Sequence, residues 1–189
     1  MTEARSELGE LLARIVGLLH GAGIEFMIAG SFASTAHGLP RTTQDIDIVI
    51  DPRPAALNSL LDAMVTDAYY VDHDTALDAP QHRSMFNVVD MASGWKIDFI
   101  LRKNRAFSRE EFRRRVPFEM LGIPLFVASA EDTVVAKLEW ARDSGGSERQ
   151  LRDVAGILAT RAGKLDIAYV ERWVEELGLT SEWVKARGA

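Results

Sequence analysis

A short apolar segment with two carboxylates on one side constrains this chain more than any other feature. It reads Asp45-Ile46-Asp47-Ile48-Val49-Ile50. This alternation predicts a strand in which Ile46 and Ile48 face a core. Asp45 and Asp47 then share the opposite face, with their Cα atoms about 6.6 Å apart, which is two strand rises. One hard cation could bridge both carboxylates. The alternative is an acidic strand end in water.

A second predicted strand carries a single acid between apolar neighbours. It runs from Trp95 to Leu101 and contains Asp98. A carboxylate in a buried strand is costly unless it is paired or metal-bound. If the two strands are neighbours, Asp98 completes a cluster that could bind Mg²⁺ or accept a proton from an attacking hydroxyl. A salt bridge with a nearby Arg or Lys is the structural alternative.

A Gly-Ser turn lies where a third predicted strand, residues 24–29, meets a short helix. Gly30 allows a ligand to approach the backbone, and the free N–H groups at a helix N-terminus suit phosphate oxygens. Ser31 could add its hydroxyl to such a site. The same residue could instead cap the helix with no ligand involved.

Together these motifs resemble the nucleotidyltransferase superfamily that shares the catalytic core of DNA polymerase β. The Gly-Ser turn is followed by Arg41-Thr42-Thr43-Gln44-Asp45-Ile46-Asp47 and later by Ile97-Asp98. The form of the acidic motif is similar to that of small prokaryotic members related to the AbiEii toxins. The resemblance covers residues 24–101 by motif and continues more loosely through residues 131–154.

The resemblance implies an enzyme of the EC 2.7.7 type that needs Mg²⁺. Such an enzyme moves a nucleotide from a nucleoside triphosphate, for example ATP, to a hydroxyl of a tRNA, a protein or a small molecule. Asp45, Asp47 and Asp98 would bind the metal, and Asp98 would also activate the acceptor hydroxyl. By the same resemblance, the chain would be the toxin of a toxin–antitoxin pair, with a cognate antitoxin as partner.

Six residues are candidates for nucleotide binding. The turn residues are implied by the resemblance, which also places a Lys and an Asp on helices facing the triphosphate. Arg41 could reach a phosphate or the base, or it could neutralise the carboxylates. Thr43 is expected on the strand face of the two acids. The full set is Gly30, Ser31, Arg41, Thr43, Lys137 and Asp153.

The order of elements predicts an α+β fold, with a small mixed sheet flanked by helices. By the resemblance, residues 1–128 are expected to form the nucleotidyltransferase core, with residues 129–189 as a helical segment packed on it. Hairpins are predicted around Ala92-Ser93-Gly94 and between residues 118 and 127. Residues 69–84 are acidic and are predicted as a long loop. Trp140, Trp173 and Trp183 are expected to pack between helices.

Composition limits the classes of partner. The formal net charge of -6 argues against binding nucleic acid over the whole surface. The arginine-rich stretch from Arg102 to Arg115 could still bind RNA, and a solvated helix face explains it equally well. The first twenty residues resemble no signal peptide, and no apolar run is long enough to span a membrane. We therefore expect a cytoplasmic protein.

Two functions of other classes also fit parts of this pattern. A non-catalytic nucleotide-binding or interaction module could keep the same fold, although it would not need three carboxylates. A hydrolase or phosphatase could use the same acids, but the Gly-Ser turn before the acidic strand makes this reading less attractive.

Overall fold

The computed structural model describes residues 2–188, with side chains from residue 7 onward, and divides into two compact units. The first unit contains Met1–Ile28 and Gln44–Val127, and the second contains Ala29–Thr43 and Ala128–Ala189. The sequence analysis placed residues 29–43 in the core. The structure groups them with the C-terminal helices, because the helix that they form contacts two of those helices.

A mixed sheet of seven strands forms the centre of the first unit, which confirms the predicted α+β class. Its spatial order is β3-β4-β5-β2-β1-β7-β6. The pairs β2/β5 and β1/β7 are parallel, and the other neighbours are antiparallel. The strands are β1 (Phe26–Ile28), β2 (Asp45–Ile50), β3 (Tyr69–Val71), β4 (Met85–Asp90), β5 (Lys96–Leu101), β6 (Val116–Met120) and β7 (Ile123–Val127).

Both predicted hairpins are present. Strands β4 and β5 pair antiparallel across the predicted glycine turn. In the second hairpin Met120 pairs with Ile123, so Leu121 and Gly122 form a two-residue turn, one position earlier than expected. Their φ angles of 53° and 81° are both positive, as a two-residue hairpin turn of type I′ requires.

One face of the sheet is buried in the core of the first unit. Alternate residues of β2, β4 and β5 are buried, including Ile48, Phe86 and Phe99. Helix α1 contacts α3 and β7, whereas α4 contacts α3 and β4. The helices of this unit are α1 (Thr2–Gly21), α3 (Pro54–Ala63), α4 (His73–His82) and α5 (Ala106–Arg113).

The predicted loop at residues 69–84 is wrong. The segment forms β3, which pairs with β4, and the helix α4. Asp72 caps that helix, since its carboxylate accepts a hydrogen bond from the Thr75 N–H at 3.1 Å. The acidic composition suggested an irregular segment, but an acid directly before a helix satisfies free backbone N–H groups.

Five helices make up the regular structure described for the second unit, and α6 contacts each of the other four. Ser129 caps α6, because its hydroxyl accepts a hydrogen bond from the Asp132 N–H at 3.1 Å. The helices are α2 (Gly30–His37), α6 (Ala130–Asp143), α7 (Glu148–Thr160), α8 (Ile167–Glu176) and α9 (Thr180–Arg187).

Two of the three tryptophans of the second unit are buried as predicted. Trp173 and Trp183 lie in the core of the unit, whereas Trp140 is 58% exposed. Trp140 lies between the buried Leu138 and Ala141 in sequence. Successive residues of a helix point in different directions around its axis, so Trp140 does not share the buried face of these two residues. Within residues 2–188, none of the helices has both the length and the apolarity to cross a bilayer.

Candidate functional site

The predicted acidic strands are direct neighbours in the sheet of the first unit. Strands β2 and β5 run parallel, with Asp47 opposite Asp98 and Asp45 opposite Lys96. Because strand side chains alternate between faces, these four residues share the face away from the buried isoleucines. The three carboxylates are therefore brought to one surface of one sheet.

Asp98 is the most enclosed of these acids, with only 8% of its side chain exposed. Its Oδ1 accepts a hydrogen bond from the Asn87 amide on the neighbouring strand β4. Its Oδ2 lies 3.0 Å from the Lys96 Nζ. The salt bridge named as the structural alternative is thus present, and it stabilises a carboxylate that would otherwise be costly to bury.

Lys96 is the cation of this cluster. Its Nζ also lies 4.0 Å from Oδ1 of Asp45. The hydrogen bond to Asp98 raises the pKa of Lys96 above its usual value, and the negative charges of Asp98, Asp45 and Asp47 act in the same direction. The ammonium is therefore held in its charged form beside the carboxylates.

The donor set of the carboxylates suits a hard divalent cation. Asp45, Asp47 and Asp98 offer oxygen ligands on one face, and two of them already lie near a shared ammonium. Among the side chains that the structure describes, those of residues 7–188, no three of His, Asp or Glu converge closely enough to hold a metal ion as they stand. A metal role for these acids stays a prediction.

A second charged cluster lies within the second unit, where it joins residues far apart in sequence. The Lys137 Nζ lies 2.7 Å from Oδ2 of Asp153, and the Arg41 Nε lies 3.3 Å from the same oxygen. Arg41 also donates a hydrogen bond to the Ser31 hydroxyl. Four of the six predicted nucleotide-binding residues therefore form one network. Its two cations exceed its one carboxylate by a single positive charge.

Burial makes this second cluster electrostatically important. Only 5% of the Lys137 side chain and 10% of the Asp153 side chain are exposed. Charges removed from water interact more strongly with one another and with any anion that reaches them. An excess of positive charge in such a place suits phosphate oxygens.

The Gly-Ser turn begins α2 as predicted. Gly30 is the first residue of the helix and has a φ of 54°, a conformation that glycine adopts without the strain of a side chain. The residue at the N-cap is Ala29, which makes no side-chain capping bond. The capping alternative for Ser31 therefore does not describe this structure, in which its hydroxyl accepts from Arg41.

Thr43 does not lie in the strand that carries Asp45 and Asp47. It was expected on the strand face of Asp45 and Asp47, but β2 begins only at Asp45 and Thr43 precedes it in an irregular segment. The alternation of faces that located the acids therefore does not extend back to Thr43. A role for Thr43 in nucleotide binding stays a prediction.

The arginine-rich stretch is partly neutralised by acids of the first unit. The Arg102 Nη2 lies 2.7 Å from Oδ2 of Asp51, and the Arg113 Nη2 lies 2.6 Å from Oε1 of Glu110. The Arg115 Nη2 lies 3.2 Å from Oε1 of Glu25. These pairs lower the positive charge available to RNA below what the sequence suggests. RNA binding stays a prediction.

Sequence reasoning missed two members of the carboxylate cluster. Lys96 could have been found, because it lies two residues before Asp98 and so must share its strand face. Asn87 gave no such signal, because only the register of β4 against β5 places it opposite Asp98.

The comparisons with known proteins agree at the level of the fold. No protein-family model matches the chain, and no curated protein matches it significantly in sequence. The antibiotic-resistance factor ANT(2'')-Ia, studied in solution, is similar in structure with a TM-score of 0.59. Its identity to this chain is 13%, and the match covers 97% of each chain.

Two crystal structures extend this likeness. ANT(2'')-Ia in complex with adenylyl-2''-tobramycin matches with a TM-score of 0.58 and 13% identity, over 94% of this chain and 99% of that one. An antigenic nucleotidyltransferase-like protein from Paracoccidioides brasiliensis matches with a TM-score of 0.54 and 13% identity, over 96% and 92%. The chain therefore has a nucleotidyltransferase-like fold.

Proposed function

We propose that this chain is a nucleotidyltransferase that moves a nucleotide from a nucleoside triphosphate to a hydroxyl acceptor. One observation carries the proposal. Within a nucleotidyltransferase-like fold, Asp45, Asp47 and Asp98 lie on one face of two adjacent parallel strands. This is the arrangement that the sequence resemblance assigns to the acids of the superfamily.

The carboxylates would hold Mg²⁺. When bound, this ion would neutralise charge on the phosphate oxygens as the reaction proceeds. Asp98 would accept the proton of the acceptor hydroxyl. The hydroxyl oxygen then forms a bond to the α-phosphorus, while the bond between that phosphorus and the bridging oxygen to the β-phosphorus breaks. The leaving group is pyrophosphate.

The cluster of the second unit would bind the triphosphate. Lys137 and Arg41 supply positive charge, and Gly30, Ser31 and Thr43 supply backbone or hydroxyl groups for phosphate oxygens. Asp153 would not contact the anion. Its carboxylate holds the two cations in place, so that little reorganisation accompanies binding.

The sequence resemblance and the structural likeness bear differently on the identity of the acceptor. The resemblance to AbiEii relatives leaves a tRNA, a protein or a small molecule open as acceptor, and favours a toxin role with a cognate antitoxin. The complex of ANT(2'')-Ia with adenylyl-2''-tobramycin favours a hydroxyl of a small molecule. Both alternatives share the same attack on the α-phosphorus.

One observation favours the second function, a nucleotide-binding module without turnover. Lys96 already neutralises Asp98, so the acid is explained structurally without a metal. This alternative predicts triphosphate binding but no transfer, and no dependence of binding on Asp47.

Calorimetric titration of each nucleoside triphosphate, with and without Mg²⁺, tests the proposal before the acceptor is known. We expect one triphosphate to bind the unchanged protein and to bind at least about tenfold more weakly to Asp47→Asn when Mg²⁺ is present. Asp78→Asn is the matched control, because it makes the same charge change at an exposed site of the same unit. Equal binding to the Asp47 variant would contradict the metal assignment.

Transfer itself requires a labelled donor. With the triphosphate identified, label in the α-phosphate should appear on an RNA, protein or small-molecule acceptor, and label in the γ-phosphate should appear only in pyrophosphate. Binding that is independent of Asp47, without transfer to any acceptor, would favour the non-catalytic module.

A further inference from the structure

We propose that Lys96 is a built-in counter-ion of the carboxylate cluster. It competes with the divalent cation for Asp98 and so sets the cation concentration at which the site fills. The inference rests on the proposed function, because it takes Asp45, Asp47 and Asp98 as the metal-binding residues. It adds a residue to which neither the family resemblance nor the comparisons assign a role.

The position of Lys96 is determined by the strand register. It lies opposite Asp45 and two residues before Asp98, so its side chain shares the face of all three acids. Its Nζ lies 3.0 Å from Oδ2 of Asp98 and 4.0 Å from Oδ1 of Asp45. The ammonium therefore lies beside two of the three carboxylates that would hold the cation.

The ammonium and a divalent cation cannot share these oxygens without cost. Mg²⁺ needs oxygen ligands at about 2.0–2.1 Å in near-octahedral geometry. If it bound Oδ2 of Asp98 with Lys96 still in place, two positive charges would lie within a few ångströms of each other. Cation binding is therefore expected to release the ammonium.

The two neighbours of Asp98 differ in what they can do. Asn87 is neutral and donates to Oδ1, so it can keep the carboxylate oriented while a cation binds the other oxygen. Lys96 has a flexible stem and is 41% exposed, so its ammonium can turn into water. The contact with Asn87 orients Asp98, and the contact with Lys96 is broken when the cation binds.

A structural ion pair predicts a different result from a competing one. If Lys96 only stabilised the sheet, its removal would lower stability and leave cation binding equal or weaker. If Lys96 competes, its removal would lower stability in the absence of divalent cations, because the acids then repel one another, and would make cation binding tighter.

Calorimetric titration with MgCl₂ or MnCl₂ alone distinguishes the two roles. We expect Lys96→Met to bind the cation about tenfold more tightly than the unchanged protein. Lys103→Met is the matched control, because it removes the same charge from an exposed loop of the same unit, and its affinity should not change. Lys96→Arg keeps the charge and should bind no more tightly than the unchanged protein.

Thermal unfolding provides a readout that does not depend on activity. Without divalent cations, Lys96→Met should melt at a lower temperature than Lys103→Met, and added Mg²⁺ should raise its Tm by more. If Lys96→Met does not fold, Lys96→Gln is measured in its place, since its amide can still donate a hydrogen bond to Asp98.

The outcomes separate this inference from the proposed function. If the unchanged protein and the Lys96 variant bind the cation with the same Kd, Lys96 does not compete with the cation. The metal role of the acids would then stand. Binding to the variant alone would support both. Binding to neither protein would overturn both. Weaker binding to the variant would assign Lys96 a structural role.

Discussion

Asp153 holds together two parts of the second unit that are distant in sequence. Its Oδ2 is the common partner of Lys137 on α6 and of Arg41 in the segment after α2. Lys137 is almost completely removed from water, so the loss of this carboxylate would leave a buried ammonium beside a guanidinium. Removing the carboxylate partner of a buried charge is among the more destabilising changes that a single substitution can make.

Asp153→Asn should therefore lower the free energy of unfolding by about 2–4 kcal/mol, as measured by urea denaturation. Asp143→Asn is the control, because that side chain is exposed at the end of α6, and it should cost less than about 0.5 kcal/mol. The double variant Lys137→Met/Asp153→Asn should recover part of the loss. Equal stability of the two single variants would contradict the role of Asp153.

At this scale, the sequence predicts residues whose roles follow from local periodicity. Alternation along a strand located Asp45 and Asp47, and an acid amid apolar residues marked Asp98. The assignment of Lys137 and Asp153 to nucleotide binding came from the resemblance and not from spacing, and their contact was not predicted, since helix periodicity does not indicate which helices meet. Asn87 was missed for the corresponding reason in a sheet, where register depends on tertiary pairing.

The packing of α2 against α7 requires a residue without a side chain at position 38. A Cβ added to Gly38, which follows α2, would lie 3.0 Å from both the backbone nitrogen and Cγ1 of Ile157. The side-chain atom can move, but the backbone nitrogen belongs to α7 and can move only with the helix. Gly38 thus allows an approach between elements that any larger residue would oppose.

Gly38→Ala should lower the free energy of unfolding by about 1–3 kcal/mol, because the added methyl group overpacks this contact. Gly17→Ala should instead raise it by about 0.5–1 kcal/mol, because Gly17 lies within α1 with no atom within 4 Å of the added Cβ. Chemical denaturation of both variants measures the difference. A stabilising effect at Gly38 would show that the two elements separate easily.

Element prediction succeeded where apolar periodicity was strong and failed where polar residues dominated. The paired strands β2 and β5 are rich in apolar residues around their acids. Strand β3 is only three residues long and α4 carries three acids in or before it, so neither shows a marked apolar period. Nothing in the sequence indicated the neighbour, Ile157, that requires a glycine at position 38.

At the scale of the whole molecule, the second unit is assembled from two separate stretches of chain. The His37 Nε2 donates to the Ala128 carbonyl oxygen at 2.7 Å, and Arg161 donates to the backbone carbonyl oxygen of His37 at 3.3 Å. Burial lowers the pKa of His37, which keeps its ring neutral in this contact. A boundary between residues 128 and 129 would separate Arg161 from His37.

The segment 128–189 alone should therefore show no cooperative unfolding. The same segment joined to residues 29–43 through a flexible Gly/Ser linker should regain helicity and a sigmoidal urea transition, because α2 restores the missing part of its core. Circular dichroism of the two fragments makes the comparison. Equal cooperativity in both would show that the C-terminal helices form a core without α2.

Hydrophobic patterns do not contain the information needed to assign residues 29–43 to the second unit. A pattern shows that a helix face is buried but does not identify the surface that covers it. Nearness in sequence favoured the neighbouring strands β1 and β2, whereas the structure pairs α2 with helices far along the chain. The fold class could still be predicted, because it depends on the order of helices and strands along the chain. That order is the same whichever unit contains residues 29–43.

The interrupted second unit also has a consequence for biosynthesis. Residues 29–43 leave the ribosome well before Ala128, because all of Gln44–Val127 must be translated in between. At about 5–20 residues per second, α2 waits roughly 4–17 seconds for the first of its partner helices. During that interval the helices that α2 contacts in the folded chain, α6 and α7, are not yet made. The nascent chain is thus most open to chaperones while the strands of the first unit are being made.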